Sequence, residues 1–343
     1  MSHPAQLLVL FDGDWHLALC VSQDQITRLC FKPLKWLRYV GFAITGAEGT
    51  LSLTQDGPPV ENYDEIMDVS GLRVYFSPVP VAVDHRTPND NSEPLSTGSR
   101  AFRAKIVARD QRCVISAIKK DMCQACHLVP HSIGNKYFAR LSGERRSIDS
   151  ASDDLEDGHG VRNGLLLFNG CHRDFIDGDY AFLATPNFAL SESDVPSSTR
   201  LSPPRQALPQ PYSTGNGRFT LQWLSSEPEE PLDLAMGHNV DTMYPAPDKF
   251  SSWPPKWLFD WRYGAAVMKK WSPPTFLDTL ARKQLAIEAS LGGEIQGKVN
   301  AHSGTLSHIM NLTGAIRLSN SGEAGASQDA NISVNDGSRV AED

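Results

Sequence analysis

Three short blocks constrain this chain more than anything else in its 343 residues: Cys123-Gln-Ala-Cys126-His127-Leu-Val-Pro130, Val161-Arg-Asn163-Gly-Leu-Leu-Leu167, and Cys171-His172-Arg-Asp174-Phe-Ile-Asp177-Gly178. The first reads as a short strand or hairpin bend closed by a proline that cannot donate to a ladder, which puts His127 at a fixed, partly exposed position. The second is a polar turn running into a buried apolar stretch. His172 follows nine residues after Asn163. Three polar side chains on three separate elements are thereby set to converge.

Charge is distributed unevenly around these blocks. From Arg100 to Arg146 eleven Lys or Arg stand against three Asp or Glu, whereas from Asp149 to Asp179 eight acidic residues face only Arg162 and Arg173. A basic segment beside an acidic one that holds His172 suits a site for both a phosphate and a divalent cation. The net charge of −8 excludes a wholly basic, nucleic-acid-coating protein. Six cysteines show no small-secreted-protein framework, so the chain is expected to be intracellular with reduced thiols. The apolar runs are too short for a membrane span, and Leu7 to Phe11 lacks the length and basic flank of a signal peptide.

Length favours more than one folded unit. Residues 1–78 are expected to form a β-rich N-terminal domain: Gln6 to Val21 alternates around Asp12-Gly13 as a hairpin does, and further strands are predicted near Gly41 to Leu53 and Leu72 to Phe76. Pro80, Pro88 and Pro94 among Asn, Asp and Ser make 79–98 a linker. A domain over 99–190 follows, opened by a helix that Ser99 caps, with Phe102, Ile106 and Val107 as an apolar stripe between Arg103, Lys105 and Arg109. Residues 191–247 read as a Pro/Ser-rich connector. Over 248–291 a helical segment is predicted: one helix after Pro254-Pro255 carries Trp257, Trp261, Ala265 and Met268 on a core-facing stripe, and a second runs from Pro274 to Leu291. The tail, 292–343, has a composition that predicts disorder.

The order His127, Asn163, His172, with Cys113 upstream, resembles the HNH endonuclease family, and the flanks resemble the HNH proteins common in fungi. Each residue has its expected neighbours: Pro130 after the first histidine, Gly164 and leucines after Asn163, Arg173 and Phe175 after His172. The resemblance implies an α+β protein with a ββα-metal core that pinches one divalent ion, Mg²⁺, Mn²⁺ or Zn²⁺. By position it makes His127 the general base and Asn163 the residue orienting that imidazole, with His172 as a metal ligand. The implied partner is nucleic acid, DNA in the first instance, with Lys119, Lys120 and Lys136 holding its backbone.

Two positions depart from the family pattern. Cys126 stands where many members carry Asp, Glu or His, and thiolate is a poor ligand for Mg²⁺. Ile176 stands where an acid or His is usual, with Asp177 one residue later. The second metal ligand is thus open among Cys126, Asp174 and Asp177. An alternative is a catalytically weakened HNH scaffold that binds nucleic acid or protein. A further one is a zinc knuckle of Cys113, Cys123, Cys126 and His127, although no second C-x-x-C pair completes it. His131 and His159 read as exposed imidazoles in polar loops, and Asp153, Asp154, Glu156 and Asp157 as a solvated loop.

Overall fold

The computed structural model describes residues 3–78, 97–145, 155, 158–198, 218–225, 237–242 and 251–291. Two units are distinguished, Met1–Leu285 and Ala286–Asp343, and the described residues fall almost wholly in the first. Most of the expected linker, the acidic run at 153, 154, 156 and 157, much of the connector and the tail from 292 lie outside the described residues.

The hairpin predicted around Asp12-Gly13 is formed by β1 (Ala5–Phe11) and β2 (Asp14–Val21), paired antiparallel. Both turn residues take positive φ, 51° and 84°, which matches a two-residue turn to the twist of its strands. β3 (Gly49–Ser52) and β4 (Arg73–Pro78) complete a sheet in the order β2-β1-β4-β3, with β1 and β4 parallel. A parallel pair needs a long crossover, and α1 (Gln23–Leu29) and α2 (Pro33–Thr45) lie within it. The strand predicted from Gly41 is therefore confined to β3, since Gly41–Thr45 belong to α2. The aromatic and β-branched residues of that stretch favour strands, but Pro33 sets a helix start and α2 is buried over most of its circumference, so burial outweighs propensity.

Helices and separate sheets make this an α+β fold, with two hydrophobic cores meeting at a shared partition. β7 (Tyr180–Thr185), β8 (Arg218–Trp223) and β9 (Val240–Asp241) form an antiparallel sheet in which every β7 residue is buried. Ala181 and Leu183 join the core of the first sheet, while Tyr180, Phe182 and Ala184 join the core of the central segment. Burial on both faces erases the alternation that marks a half-exposed strand. α6 (Lys256–Trp271) is shared in the same way, giving Tyr263 and Val267 to one core and Trp257 and Trp261 to the other. α7 (Pro274–Leu291) starts at the proline predicted to start it. Among the described residues no helix is long and apolar enough to cross a membrane.

The central segment consists of α3 (Thr97–Asp110), β5 (Cys123–His127), α4 (Asn135–Arg145), β6 (Gly164–Phe168) and α5 (Asn169–Asp177). β5 and β6 pair antiparallel from Cys123↔Phe168 to His127↔Gly164, and α3 and α5 both pack on this hairpin. α3 buries Phe102 and Ile106 as its stripe predicts, and also Arg109, which is 4% exposed. Arg109 was expected among the solvated charges. Its guanidinium instead pairs with Asp110 at 2.6 and 2.9 Å and donates to the carbonyls of Val161, Gly164 and Ser252, over the ring of Trp253. Asp110 in turn accepts from the Leu166 N–H at 2.9 Å. Every nitrogen of this buried cation is used, which is the condition under which such a group is tolerated inside a protein.

Removing one member of this pair strands the other. Arg109→Met is expected to lower unfolding stability by about 3–5 kcal/mol, read as a fall in urea midpoint at unchanged m-value. A loss below about 1 kcal/mol would show the pair to be dispensable.

Candidate active site

His127 is the last residue of β5 and is half-buried. Its ring lies flat on that of Phe102 from α3, centroids 3.8 Å apart and planes 6° from parallel. Gly164 faces His127 across the hairpin, and a Cβ there would collide with the Phe102 ring and sit 2.9 Å from the Cys126 carbonyl oxygen. The Asn163-Gly164 step thus leaves the space into which Phe102 enters beneath His127.

Two more imidazoles approach from the loop between β5 and β6. His159 meets His127 edge-on, 5.7 Å between centroids at 65°, and His131 stacks on His159 at 3.8 Å and 27°. His131 and His127 are 6.4 Å apart. Sequence reasoning had set His131 and His159 aside, because each falls in a polar stretch distant in the chain from its neighbour in space. The local sign was His131 directly after Pro130, at the end of the first block.

Asn163 is fully buried. Its Oδ1 accepts from the Val129 N–H at 2.9 Å, and its Nδ2 donates to the carbonyls of Val129 and Gly158, both at 2.8 Å. Both amide hydrogens are used on the backbone, so Asn163 reaches His127 through the loop that it closes. The Leu128 N–H donates to the Asn163 carbonyl at 2.9 Å, extending the ladder by one step. Its side chain therefore ties together the two segments that carry His131 and His159.

His172 lies in the first turns of α5, half-buried, next to the buried Cys171. Asp177 ends the same helix. Five residues separate them, about 7.5 Å along a helix and about 140° round it, which does not bring both side chains to one small cation. The Asp177 carboxylate is already engaged, with Arg173 Nε at 2.6 Å and Lys269 Nζ at 3.7 Å. Partial burial works against its charge, but Arg173 and Lys269 hold its pKa below the ordinary 3.8. Arg262 adds its guanidinium to the Phe175 and Ile176 carbonyls, so cations from α6 cover the negative end of α5.

Cys126 is buried, and strand alternation places it on the opposite face of β5 from Cys123 and His127. That alternation also separates Cys126 from the knuckle considered for Cys113, Cys123 and His127. Cys123 donates to the carbonyls of Ile118 and Lys119, and burial, with Cys113 nearby, pushes its thiol up to about 11. That is the behaviour of a core thiol rather than a reactive one. Among the described residues no three His, Cys, Asp or Glu side chains are grouped to hold a metal ion. The donor set Cys126, His172 and Asp177 does not fit one.

Exposed cations surround the hairpin: Arg100 and Lys105 on α3, then Arg112, Lys119 and Lys120 before β5. The Lys136 side chain lies outside what the structure describes. Arg103 donates to the Cys123 carbonyl at 2.7 Å, so α3 and the turn that carries Lys119 and Lys120 are fastened together.

Comparison with known proteins bears on this segment directly. Residues 113–183 match the family model HNH_2, described as HNH endonuclease. Over this segment the chain is similar to HNH endonucleases. The match begins at Cys113, takes in all three blocks and ends within β7. No curated protein and no solved structure matches the chain, and the narrower likeness to fungal members gains no support. HNH endonucleases are nuclease-type as a class, and the likeness of this chain to them is confined to that segment.

Two outcomes test the site as a structure. Asn163→Ala abandons three buried backbone groups, each costing about 1–3 kcal/mol when left unsatisfied. A large fall in unfolding stability is expected, with faster proteolysis in 128–162, whereas wild-type stability would mean the clamp is not formed. For Asp177, a folded pKa below the unfolded one contributes stability that is present above the ordinary carboxylate value and lost as pH falls through the lowered one. Asp177→Asn is expected to flatten stability against pH between about 5 and 2, modestly because the pair is solvent-screened. An unchanged profile would refute the pairing.

Proposed function

We propose that the HNH domain hydrolyses phosphodiester bonds in nucleic acid, DNA in the first instance, with His127 as general base. The observation that carries the reading is the placement of His127. An imidazole inside the segment that matches the family ends the first strand of a strand-strand-helix unit, is held flat by Phe102 of the preceding helix α3 and is bordered by exposed cations. Imidazole suits the task because its ordinary pKa lies near neutral pH.

In this reading His127 takes a proton from a water molecule whose oxygen attacks phosphorus. The new P–O bond forms as the P–O3′ bond breaks, and the departing alkoxide takes its proton from solvent, leaving a 5′-phosphate and a 3′-hydroxyl. Arg100, Lys105, Lys119 and Lys120 hold the strand through its phosphates without reading sequence.

A second reading is favoured by Asp177. Its carboxylate is occupied by Arg173 and Lys269 at the helix end where the family pattern has a metal-ligating residue nearby. That arrangement suits an HNH scaffold that binds nucleic acid without cutting it.

Purified full-length protein incubated with labelled duplex DNA, single-stranded DNA and RNA, in Mg²⁺, Mn²⁺ or Zn²⁺, separates the two. Cleavage is expected, and His127→Ala is expected to slow it by about 100-fold or more. No cleavage of any substrate, or equal cleavage by His127→Ala, would sink the proposal. Salt-sensitive binding without cleavage would select the scaffold reading.

A further inference from the structure

Phe102, His127, His159 and His131 form one continuous run of rings, and the hydrolytic chemistry uses only the second of them. We propose that His159, backed by His131, is a positioning residue that fixes the His127 imidazole against Phe102. The orienting work that the family resemblance gives to the Asn163 amide falls instead to this ring stack, which Asn163 holds together through the backbone. The inference rests on reading His127 as the base.

A histidine at the end of a strand has two side-chain torsions to fix. Phe102 covers one face of the ring in a near-parallel contact, and His159 presents itself at a steep angle beside it, 65° between planes. The steep contact at 5.7 Å is of the edge-to-face kind that aromatic quadrupoles favour, while the Phe102 ring, almost directly over the imidazole, acts as a steric plate. Phe102 cannot withdraw: it is buried on α3, and its ring fills the space left by Gly164. His159 is backed in turn by the ring of His131 at 3.8 Å.

The stack has a common anchor. His159 follows Gly158, whose carbonyl accepts from Asn163 Nδ2, and His131 lies two residues after Val129, whose N–H and carbonyl are both bonded to Asn163. One buried amide therefore sets the separation of the two segments from which the rings extend. A base displaced by even a fraction of its working geometry loses rate without necessarily losing substrate affinity.

The test uses full-length protein and two readouts. Imidazole ¹⁵N–¹H correlation spectra report the His127 ring directly, and steady-state cleavage reports kcat and KM. In His159→Ala the His127 signals are expected to shift or broaden, and kcat to fall about tenfold or more, with KM held within about twofold. His159→Phe restores a ring in the same place and is expected to return the His127 signals and most of kcat. Phe102→Leu removes the opposite plate and is expected to move the same signals, which keeps the test open should His159→Ala fail to fold. His127 signals that superimpose in wild type and His159→Ala overturn the inference, as does a loss confined to KM. Wild-type protein that cuts nothing contradicts the nuclease reading instead, since the spectra still report whether the ring is held.

Discussion

Asn163 joins the two ends of the long connection between β5 and β6, and the arrangement of the HNH-like segment depends on that joint. The connection carries α4, His131 and His159, and its ends leave the hairpin ladder just beyond His127↔Gly164. Three side-chain hydrogen bonds from a fully buried amide make the closure specific. A buried amide is tolerated when its donors and acceptor are matched, and such a network then admits little variation in geometry. The next residue, Gly164, adds the space for Phe102, so two adjacent positions in the sequence set both sides of the His127 ring.

Around this joint lies a second constraint. Arg109 and Asp110 bond α3 to both ends of the 161–166 stretch and to the segment at Ser252. α4 is held by the buried Arg145, which donates to the Ala43 carbonyl near the end of α2. Burial pulls its guanidinium down to about 10, against the favourable field of Asp260. The HNH-like segment is thus attached to the N-terminal sheet region by polar contacts set within two apolar cores, with β7 and α6 contributing side chains to both.

Much of this was legible where the signal is local. Asp12-Gly13 specifies a turn, Pro254-Pro255 and Pro274 start helices, and the blocks at His127, Asn163 and His172 carry their neighbours with them. What was not legible depends on burial or on contacts between distant residues. α2 reads as strand by residue type until its nearly complete burial is known, and β7 shows no alternation because both of its faces are covered. Arg109 looks like any helix-surface cation. The approach of His131 and His159 to His127 follows from the folding of a whole loop, and no spacing within the sequence encodes it. Beside His172 the second metal ligand was open among Cys126, Asp174 and Asp177, and the described residues group no set that would hold an ion.

The claim on which the rest stands is that Asn163 locks the loop to the hairpin, and the Val129 amide reports on it alone. Its hydrogen is bonded to the Asn163 side chain and not to a strand partner. Native-state hydrogen exchange is the direct measurement: if the lock is as described, the Val129 amide exchanges as slowly as the amides within β5 and β6, through unfolding of the domain. Exchange of Val129 at the rate of an open loop, with β5 and β6 still protected, would contradict it.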